Sequence, residues 1–390
     1  MRAAALLLAV IIMAAGCGDS DDAAPATTTA PTPTESPTTS TTTTTTPTTT
    51  VEPGVTSPYV PTDVWETVDA TEVGFDPDAL ASATRLAEER RSHCLLVLHD
   101  GRIVHEWYAD GVERDDDFEV FSVTKSVTAA IVGAAVTEGL VDVGDEASEL
   151  LDEWVGTDSE PVTIESILQN LSGRLYEPVP DLFELSGRPD MTTHSIDLAQ
   201  QHAPGTVWAY NQSAIQTLDA IIERSSGEDT EDFAQAALFE PLGMSVSYPR
   251  DPAGNVPMFA GLQAGCRDLG RFALMSARLG AWGDEHIVDE AFMAAAVTGT
   301  AINEAYGYLY WHNAEPGTWD HTNPARDRSQ RFWPDLPIDA FGANGLGEQF
   351  ATIFPSEDLI VVRIGDPAGV QGYDGVLSND LGAAVLAALD

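Results

Sequence analysis

The sequence predicts an α+β fold in which an antiparallel sheet, flanked by helices, is built from both ends of the folded chain around an inserted all-helical lobe. Runs rich in β-branched and aromatic residues indicate strands at about residues 95–108 and again beyond residue 306. Between them, from about residue 118 to 280, apolar residues recur mostly at helical spacing. Distant strands that bracket a helical insert favour one sheet with a lobe beside it. We expect the active cleft between the two lobes, where pockets tend to occur.

Each element of this fold has its own signal. A helical pattern covers residues 79–91, and the β-rich runs 95–98 and 103–108 are joined by Asp100-Gly101, a strong hairpin signal. Helices of the insert are predicted at residues 127–139, 162–171, 213–225, 229–238 and 268–279. Strands follow at residues 306–311, 349–354 and 359–364, and a helix closes the chain at residues 378–389.

The chain is strongly acidic. Its 390 residues include 62 Asp and Glu against 18 Lys and Arg, a formal net charge of −44. Such a surface repels nucleic acid and anionic headgroups, so we expect no nucleic-acid partner. We interpret the charge as an adaptation of solubility to the surroundings, with little bearing on the reaction.

The N-terminal residues predict export. Arg2 precedes a short apolar run that ends in Ala14-Ala15-Gly16-Cys17, so residues 1–17 are typical of a lipoprotein signal peptide whose mature chain begins at a lipidated Cys17. The run is too short to favour a membrane-spanning helix. Residues 18–58 are rich in Thr and Pro and predict a disordered linker. We therefore expect a protein anchored by lipid at the outer face of the bacterial cytoplasmic membrane or in the periplasm.

The folded domain is expected to span residues 59–390 and contains the remaining cysteines, Cys94 and Cys266. An even pair in an exported chain is consistent with a disulfide. Two separate buried thiols are the alternative, and the sequence leaves both open.

The only lysine of the chain, Lys125, follows Ser122 by three residues. This spacing places both side chains on one face of a helix, whose first turn favours an alkoxide through its unpaired N–H groups and dipole. An arginine stays protonated, whereas a desolvated lysine can act as a base. The pattern predicts a serine nucleophile with a lysine base, although Ser-x-x-Lys alone also arises by chance.

Several sequence blocks resemble the serine β-lactamase-like superfamily, in particular the group of class C β-lactamases, family VIII esterases and 6-aminohexanoate-dimer hydrolases. The blocks occur in the order of that family at residues 121–125, 138–140, 162–173, 204–210, 241–244 and 306–308. The resemblance extends from about residue 76 to the C-terminus. It implies a β-lactamase/transpeptidase-like fold.

The resemblance also implies catalytic roles. In that family the Ser-x-x-Lys serine is acylated, the lysine assists as base, and the tyrosine of a Tyr-x-Asn motif passes a proton to the leaving group. The matching residues are Ser122, Lys125 and Tyr210. An ammonium beside a phenol would lower the proton affinity of the phenol, which agrees with such a shuttle. The structural alternative for Tyr210 is a buried core aromatic.

Two departures from the family pattern concern the substrate. Gln212 replaces the Asn of Tyr-x-Asn, so we expect altered binding of a substrate amide. Ala343-Asn344-Gly345 replaces the usual Lys-Thr-Gly or His-Thr-Gly, and the lost cation disfavours ordinary antibiotic hydrolysis.

The glycine-rich run that follows resembles the dimer-hydrolase branch. It implies that the N–H groups of Ser122 and Leu346 stabilise the oxyanion, with Gly345 and Gln212 beside the substrate. A simple β-bulge is the alternative for this run.

The sequence thus predicts an exported serine hydrolase that cleaves a small ester or amide through an acyl-enzyme on Ser122, without a metal or organic cofactor. A penicillin-recognising DD-carboxypeptidase or β-lactamase, and a non-catalytic cell-wall-binding relative, remain alternatives. The sequence indicates neither the exact substrate nor the oligomeric state.

In the loop at residues 313–338, four charged residues either bind an anionic substrate group or pair with the acidic surface. They are Asp320, Arg326, Arg328 and Arg331.

Overall fold

A computed structural model describes residues 59–62, 64–317, 329–369 and 376–389. The predicted signal peptide, the predicted lipidation site at Cys17 and the predicted linker to residue 58 lie outside these residues, as do Asp320, Arg326 and Arg328. Within the described ranges, no helix combines the length and the apolar character that crossing a bilayer requires.

A six-stranded antiparallel sheet forms the centre of the fold, with strand order β2-β1-β10-β9-β8-β7. The strands are β1 (Ser92–His99), β2 (Arg102–Tyr108), β3 (Phe118–Glu119), β4 (Gln263–Ala264), β5 (Ala281–Trp282), β6 (Glu285–His286), β7 (Trp311–His312), β8 (Phe341–Gly345), β9 (Gln349–Phe354) and β10 (Leu359–Gly365). The short strands β3 and β4 pair with each other, as do β5 and β6.

The helices lie before, between and after these strands. They are α1 (Pro77–Glu89), α2 (Val123–Thr137), α3 (Ile164–Leu168), α4 (Met191–Asp197), α5 (Gln212–Ser226), α6 (Thr230–Ala234), α7 (Glu240–Leu242), α8 (Cys266–Ala277), α9 (Glu290–Ala296) and α10 (Val376–Leu386). A short π-helical segment, Pro180–Glu184, precedes α4.

The predicted sheet from both ends of the chain is confirmed. β1 pairs directly with β10, with Leu95 opposite Arg363 and Val97 opposite Val361. The β-branched and leucine side chains of these two strands are buried on both faces of the sheet, because helices cover it. The hairpin predicted at Asp100-Gly101 joins β1 to β2.

The prediction of a strand at residues 306–311 was wrong. Only Trp311 and the residue after it pair with β8, while Tyr306 forms a single bridge to Trp311. Leu309 has a φ of 59°, and its carbonyl accepts a hydrogen bond from Ser126. The run is aromatic because its side chains are buried, and burial alone does not make a strand.

The structure also contains a strand that the pattern did not indicate. β8 is only five residues long and includes two glycines, which have low strand propensity. Helix α3 is shorter than predicted and ends before Asn170, whose φ is 59°. The helical lobe further contains the small β3–β4 pair, which fixes the segment just before Ser122.

Cys94 and Cys266 form a disulfide, with their Cα atoms 6.4 Å apart. Cys94 lies on β1, and Cys266 is the first residue of α8. The bond therefore connects the sheet to the start of α8, two residues after β4, the strand that pairs with β3 just before the Ser122 turn.

Candidate active site

Ser122 lies at the start of α2, in the turn between β3 and the helix. Its φ and ψ angles are −69° and −4°, and the preceding Phe121 has a φ of 49°. A bulky residue rarely adopts this left-handed conformation, which costs on the order of 1–3 kcal/mol and is common at functional sites. The residues after it, from Val123 to Ala135, are all buried, so α2 holds the turn rigidly.

Lys125 is 1% exposed, and three oxygen atoms surround its Nζ. Nζ lies 3.0 Å from Ser122 Oγ, 3.1 Å from Gln212 Oε1 and 2.7 Å from the carbonyl oxygen of Phe259. Burial lowers the pKa of Lys125 to about 7, and the charge of Asp181 partly opposes this shift.

This arrangement suits a neutral amine. Two N–H groups can donate to Gln212 and Phe259, which leaves the lone pair for the Ser122 hydroxyl. The predicted pairing of Ser122 with Lys125 is therefore present in geometry: the amine and the hydroxyl are in hydrogen-bonding contact, and the amine is shielded from water.

Tyr210 completes the group around Ser122. The Lys125 Nζ lies 4.7 Å from its ring centroid, and the Ser122 side chain lowers the pKa of its phenol, against the larger effect of burial. Burial holds the pKa of Tyr210 well above its ordinary value, so the phenol stays protonated. The ring also stacks on Trp311 with 5.9 Å between centroids, so Tyr210 is both a core aromatic and a neighbour of the serine.

Gln212 is the first residue of α5, and both polar atoms of its side chain bind protein groups. Its Oε1 accepts from Lys125, and its Nε2 donates to the carbonyl of Asp181 over 2.8 Å. The expectation that Gln212 contacts the substrate stays a prediction. The structure shows a contact with Lys125.

Asp181 is a site residue that the sequence did not reveal. It is 4% exposed, and its carboxylate accepts the backbone N–H groups of Gln212 and Ser213, each over 2.8 Å, and the Ser213 hydroxyl over 2.7 Å. These N–H groups are the unpaired donors at the start of α5. Asp181 belongs to a separate segment more than 30 residues earlier and carries no motif, so no local signal points to it.

The end of β8 lies directly against the Ser122 turn. A Cβ atom on Gly345 would lie 2.3 Å from the Val120 carbonyl oxygen and 3.2 Å from the Ser122 nitrogen. Only glycine allows this approach. The structure thus brings Gly345 to Ser122, with Leu346 next in the chain, and β8 and β9 pair regularly as far as Gly345 and Gln349. The expected roles of Gly345 and Leu346 toward the substrate stay predictions.

Ala343 occupies the position where the family pattern has a cation. It lies two residues before Gly345 on β8 and is 1% exposed. Of the arginines in the preceding loop at residues 313–338, Arg331 is described, and its Nη1 donates to the Leu336 carbonyl.

The chain is similar to known proteins over much of its length. The Beta-lactamase family model matches residues 80–365. A beta-lactamase of Escherichia coli (strain K12) is 25% identical over 186 residues, which cover 45% of this chain and 49% of the relative. An esterase of Burkholderia gladioli is 30% identical over 151 residues, which cover 34% of this chain and 38% of the relative. The chain thus spans about half the length, or less, of these relatives.

A solved structure shows the same fold. A candidate 6-aminohexanoate-dimer hydrolase from Bacillus anthracis superposes with a TM-score of 0.66 at 17% identity, covering 84% of this chain and 87% of the other. The β-lactamase/transpeptidase-like fold predicted from the sequence blocks is confirmed. Since the family model covers most of the chain, including Ser122, Lys125 and Tyr210, this protein belongs to the beta-lactamase family.

Proposed function

We propose that this protein is a serine hydrolase that cleaves a small ester or amide through an acyl-enzyme on Ser122. One observation carries the proposal: the fully buried Lys125 Nζ lies 3.0 Å from the Ser122 Oγ. A lysine whose pKa is near 7 is a competent base at neutral pH, whereas a solvated lysine is not.

The first half of the reaction follows from these contacts. Ser122 gives its proton to neutral Lys125, and Oγ bonds to the substrate carbonyl carbon. The carbonyl oxygen becomes an oxyanion between the N–H groups of Ser122 and Leu346, where fixed donors stabilise developing charge. As the carbonyl re-forms, the bond to the leaving group breaks. Tyr210 protonates the leaving oxygen or nitrogen and regains a proton from the Lys125 ammonium.

The second half uses water. Water attacks the acyl carbonyl and gives its proton to the neutral Lys125, either directly or by way of Tyr210, which passes its own phenol proton to the amine. The bond between the acyl carbon and Oγ then breaks, and Ser122 Oγ takes a proton back from the Lys125 ammonium. The buried Tyr210 suits the role of proton donor, because its raised pKa keeps the phenol protonated at neutral pH.

An ester or uncharged amide fits better than a penicillin as the substrate class. Ala343 supplies no cation for a substrate carboxylate at the position where the family pattern has one. Penicillin recognition is the second candidate, supported by the family match and by the beta-lactamase name of the Escherichia coli relative. A non-catalytic cell-wall-binding protein is the third candidate. The contact between Ser122 and Lys125 disfavours it, because a protein that only binds does not need a buried amine beside this hydroxyl.

We also propose export with a lipid anchor at Cys17. The signal-like N-terminus supports this, and so does the disulfide between Cys94 and Cys266, because disulfides persist mainly in oxidising compartments. Membrane fractions of cells that produce the wild type or Cys17→Ala provide the test. The wild type should sediment with membranes and the variant should not. Equal distribution of both would contradict the anchor.

Labelling with a fluorophosphonate and hydrolysis of short p-nitrophenyl esters test the activity. We expect both in the wild type and neither in Ser122→Ala. Ser126→Ala is the matched control, since it removes a hydroxyl on the same helix that donates to the Leu309 carbonyl and not to the site. Undiminished labelling of Ser122→Ala would place the nucleophile elsewhere. Stable, Ser122-dependent labelling by a fluorescent penicillin would favour the second candidate.

A further inference from the structure

The turn between β8 and β9 is held from behind by buried side chains. It consists of Leu346, Gly347 and Glu348, and it begins at Gly345, the residue that touches the Ser122 turn. Gly347 and Glu348 have φ angles of 72° and 59°. A left-handed glutamate costs about 1–2 kcal/mol, so this backbone conformation persists only if its surroundings impose it.

Gln349 binds the turn through its side-chain nitrogen. It is 0% exposed, and its Nε2 lies 3.2 Å from the Leu346 carbonyl oxygen and 3.3 Å from that of Gly347. The same amide is fixed by Gly365 of β10, whose N–H donates to Oε1 over 2.7 Å and whose carbonyl accepts from Nε2 over 2.9 Å. The amide therefore connects the turn to the centre of the sheet.

Arg363 binds the next two carbonyls of the turn. It is also 0% exposed, and its Nη1 donates to Gly347 over 2.6 Å and to Glu348 over 2.9 Å. Its other nitrogens donate to the Ser92 hydroxyl and to the Arg90 carbonyl. Burial lowers the pKa of Arg363 to about 10, which reflects the cost of placing this group inside the protein.

These contacts fix three successive peptide planes. The two buried side chains bind the carbonyls of Leu346, Gly347 and Glu348. These carbonyls come directly after the Leu346 N–H along the backbone. A single N–H group can stabilise an oxyanion only if its direction is set in advance. An error of about 1 Å in such a group can cost about 100-fold in rate.

We propose that Arg363 and Gln349 are positioning residues that aim the Leu346 N–H at the oxyanion formed on Ser122. The inference rests on the proposed hydrolase function and adds to it a buried support for one of the two oxyanion donors. Neither side chain touches the substrate. Both act through the backbone of the turn.

Two conservative variants test the inference. Arg363→Lys keeps a positive charge but loses the planar fork that binds the two turn carbonyls through Nη1 while Nε and Nη2 are held by Ser92 and Arg90. Gln349→Met keeps the length and loses the amide. In each folded variant we expect kcat for p-nitrophenyl acetate to fall about 10- to 100-fold while KM changes by less than about threefold, because an oxyanion contact forms mainly in the transition state.

A tetrahedral inhibitor separates positioning from general damage. Phenylboronic acid bonds to the serine oxygen and places a hydroxyl where the oxyanion forms, so its affinity should fall by about the same factor as kcat. The pH dependence should keep the wild-type midpoint, because Lys125 and its contacts are untouched. Arg271→Gln is the control: Arg271 is another buried arginine bound to backbone carbonyls, those of Pro61 and Thr62. It should lower stability without reducing kcat per folded molecule.

The outcomes are distinct. A folded Arg363→Lys or Gln349→Met with wild-type kcat and boronate affinity overturns the inference. So does an equal loss of kcat in folded Arg271→Gln. If both site variants fail to fold, Ser92→Ala, which removes only one acceptor of Arg363, should still weaken the boronate, and unchanged affinity there overturns the inference as well. An active Ser122→Ala protein would instead refute the hydrolase proposal itself.

Discussion

Gln212 accepts a hydrogen bond from Lys125, with 3.1 Å between Oε1 and Nζ. The amide of Gln212 has a fixed direction because its Nε2 donates to the Asp181 carbonyl over 2.8 Å. An uncharged acceptor beside a buried amine does little to favour the ammonium, and burial sets the pKa of Lys125 at about 7. This contact should control how the reaction depends on pH.

We expect ester hydrolysis to rise as the pH increases through about 7, because only neutral Lys125 accepts the Ser122 proton. Gln212→Glu would place a carboxylate beside Nζ and raise the pKa of Lys125, which moves the rising limb of kcat/KM up by about one to two pH units. Gln212→Met, uncharged and of equal length, should lower the rate without an upward shift. The hydrolysis rate of the Ser122→Ala protein is subtracted from each rate as background. Superimposable wild-type and Gln212→Glu profiles would refute this view.

The buried amine should also make stability depend on pH. The pKa of Lys125 falls from 10.5 in the unfolded chain to about 7 in the fold, so between these values the unfolded chain binds the extra proton. Stability should therefore decrease as the pH falls from about 10 to 7, by roughly 3 kcal/mol relative to Lys125→Met. Urea unfolding of both proteins at the two pH values measures this. If wild type and Lys125→Met differ in unfolding free energy by the same amount at pH 7 and at pH 10, Lys125 is charged in the folded protein.

Gly345→Ala tests the close approach of β8 to the Ser122 turn. The new methyl group would lie 2.3 Å from the Val120 carbonyl oxygen, so one of the two segments must move. We expect the rate of ester hydrolysis to fall by about 100-fold or more, since a shift of about 1 Å has that effect. Gly187→Ala is the control, because its methyl group would meet no atom within 4 Å. A fully active Gly345→Ala enzyme would show that this contact does not set the site geometry.

Removal of the disulfide should destabilise the fold. The bond closes a sequence separation of 172 residues, and its loss in the double variant Cys94→Ala/Cys266→Ala should cost about 2–5 kcal/mol. Thermal unfolding with and without dithiothreitol provides the check. The wild type should melt at a lower temperature in the reductant, whereas the double variant should not respond. A double variant as stable as the oxidised wild type would contradict the expectation.

Local chemistry explains why part of the site was predictable. Ser122 and Lys125 are three residues apart on one helix, so sequence spacing translates directly into contact. The strands around Leu95 and Val361 were equally clear, because buried strands need continuous β-branched and aliphatic residues.

The remainder of the site depends on contacts between distant segments. Asp181 reaches Gln212 from a segment of irregular helix, and Phe259 offers its carbonyl to Lys125 from a loop 134 residues away. Neither contact involves a recognisable pattern, since any residue type supplies a backbone carbonyl. The strand Phe341–Gly345 was missed because glycine, which the close approach to Ser122 requires, is a poor strand former.

The pairing of β1 with β10 has a consequence for biogenesis. β1 cannot pair with β10 until the ribosome has added Arg363, which follows its partner Leu95 by almost 270 residues. Pairings over such distances form slowly, because a long loop must close first. A nascent chain that already contains Ser122 and Lys125 therefore still lacks β8, and the contact of Gly345 with the Ser122 turn forms only after these late residues have been synthesised.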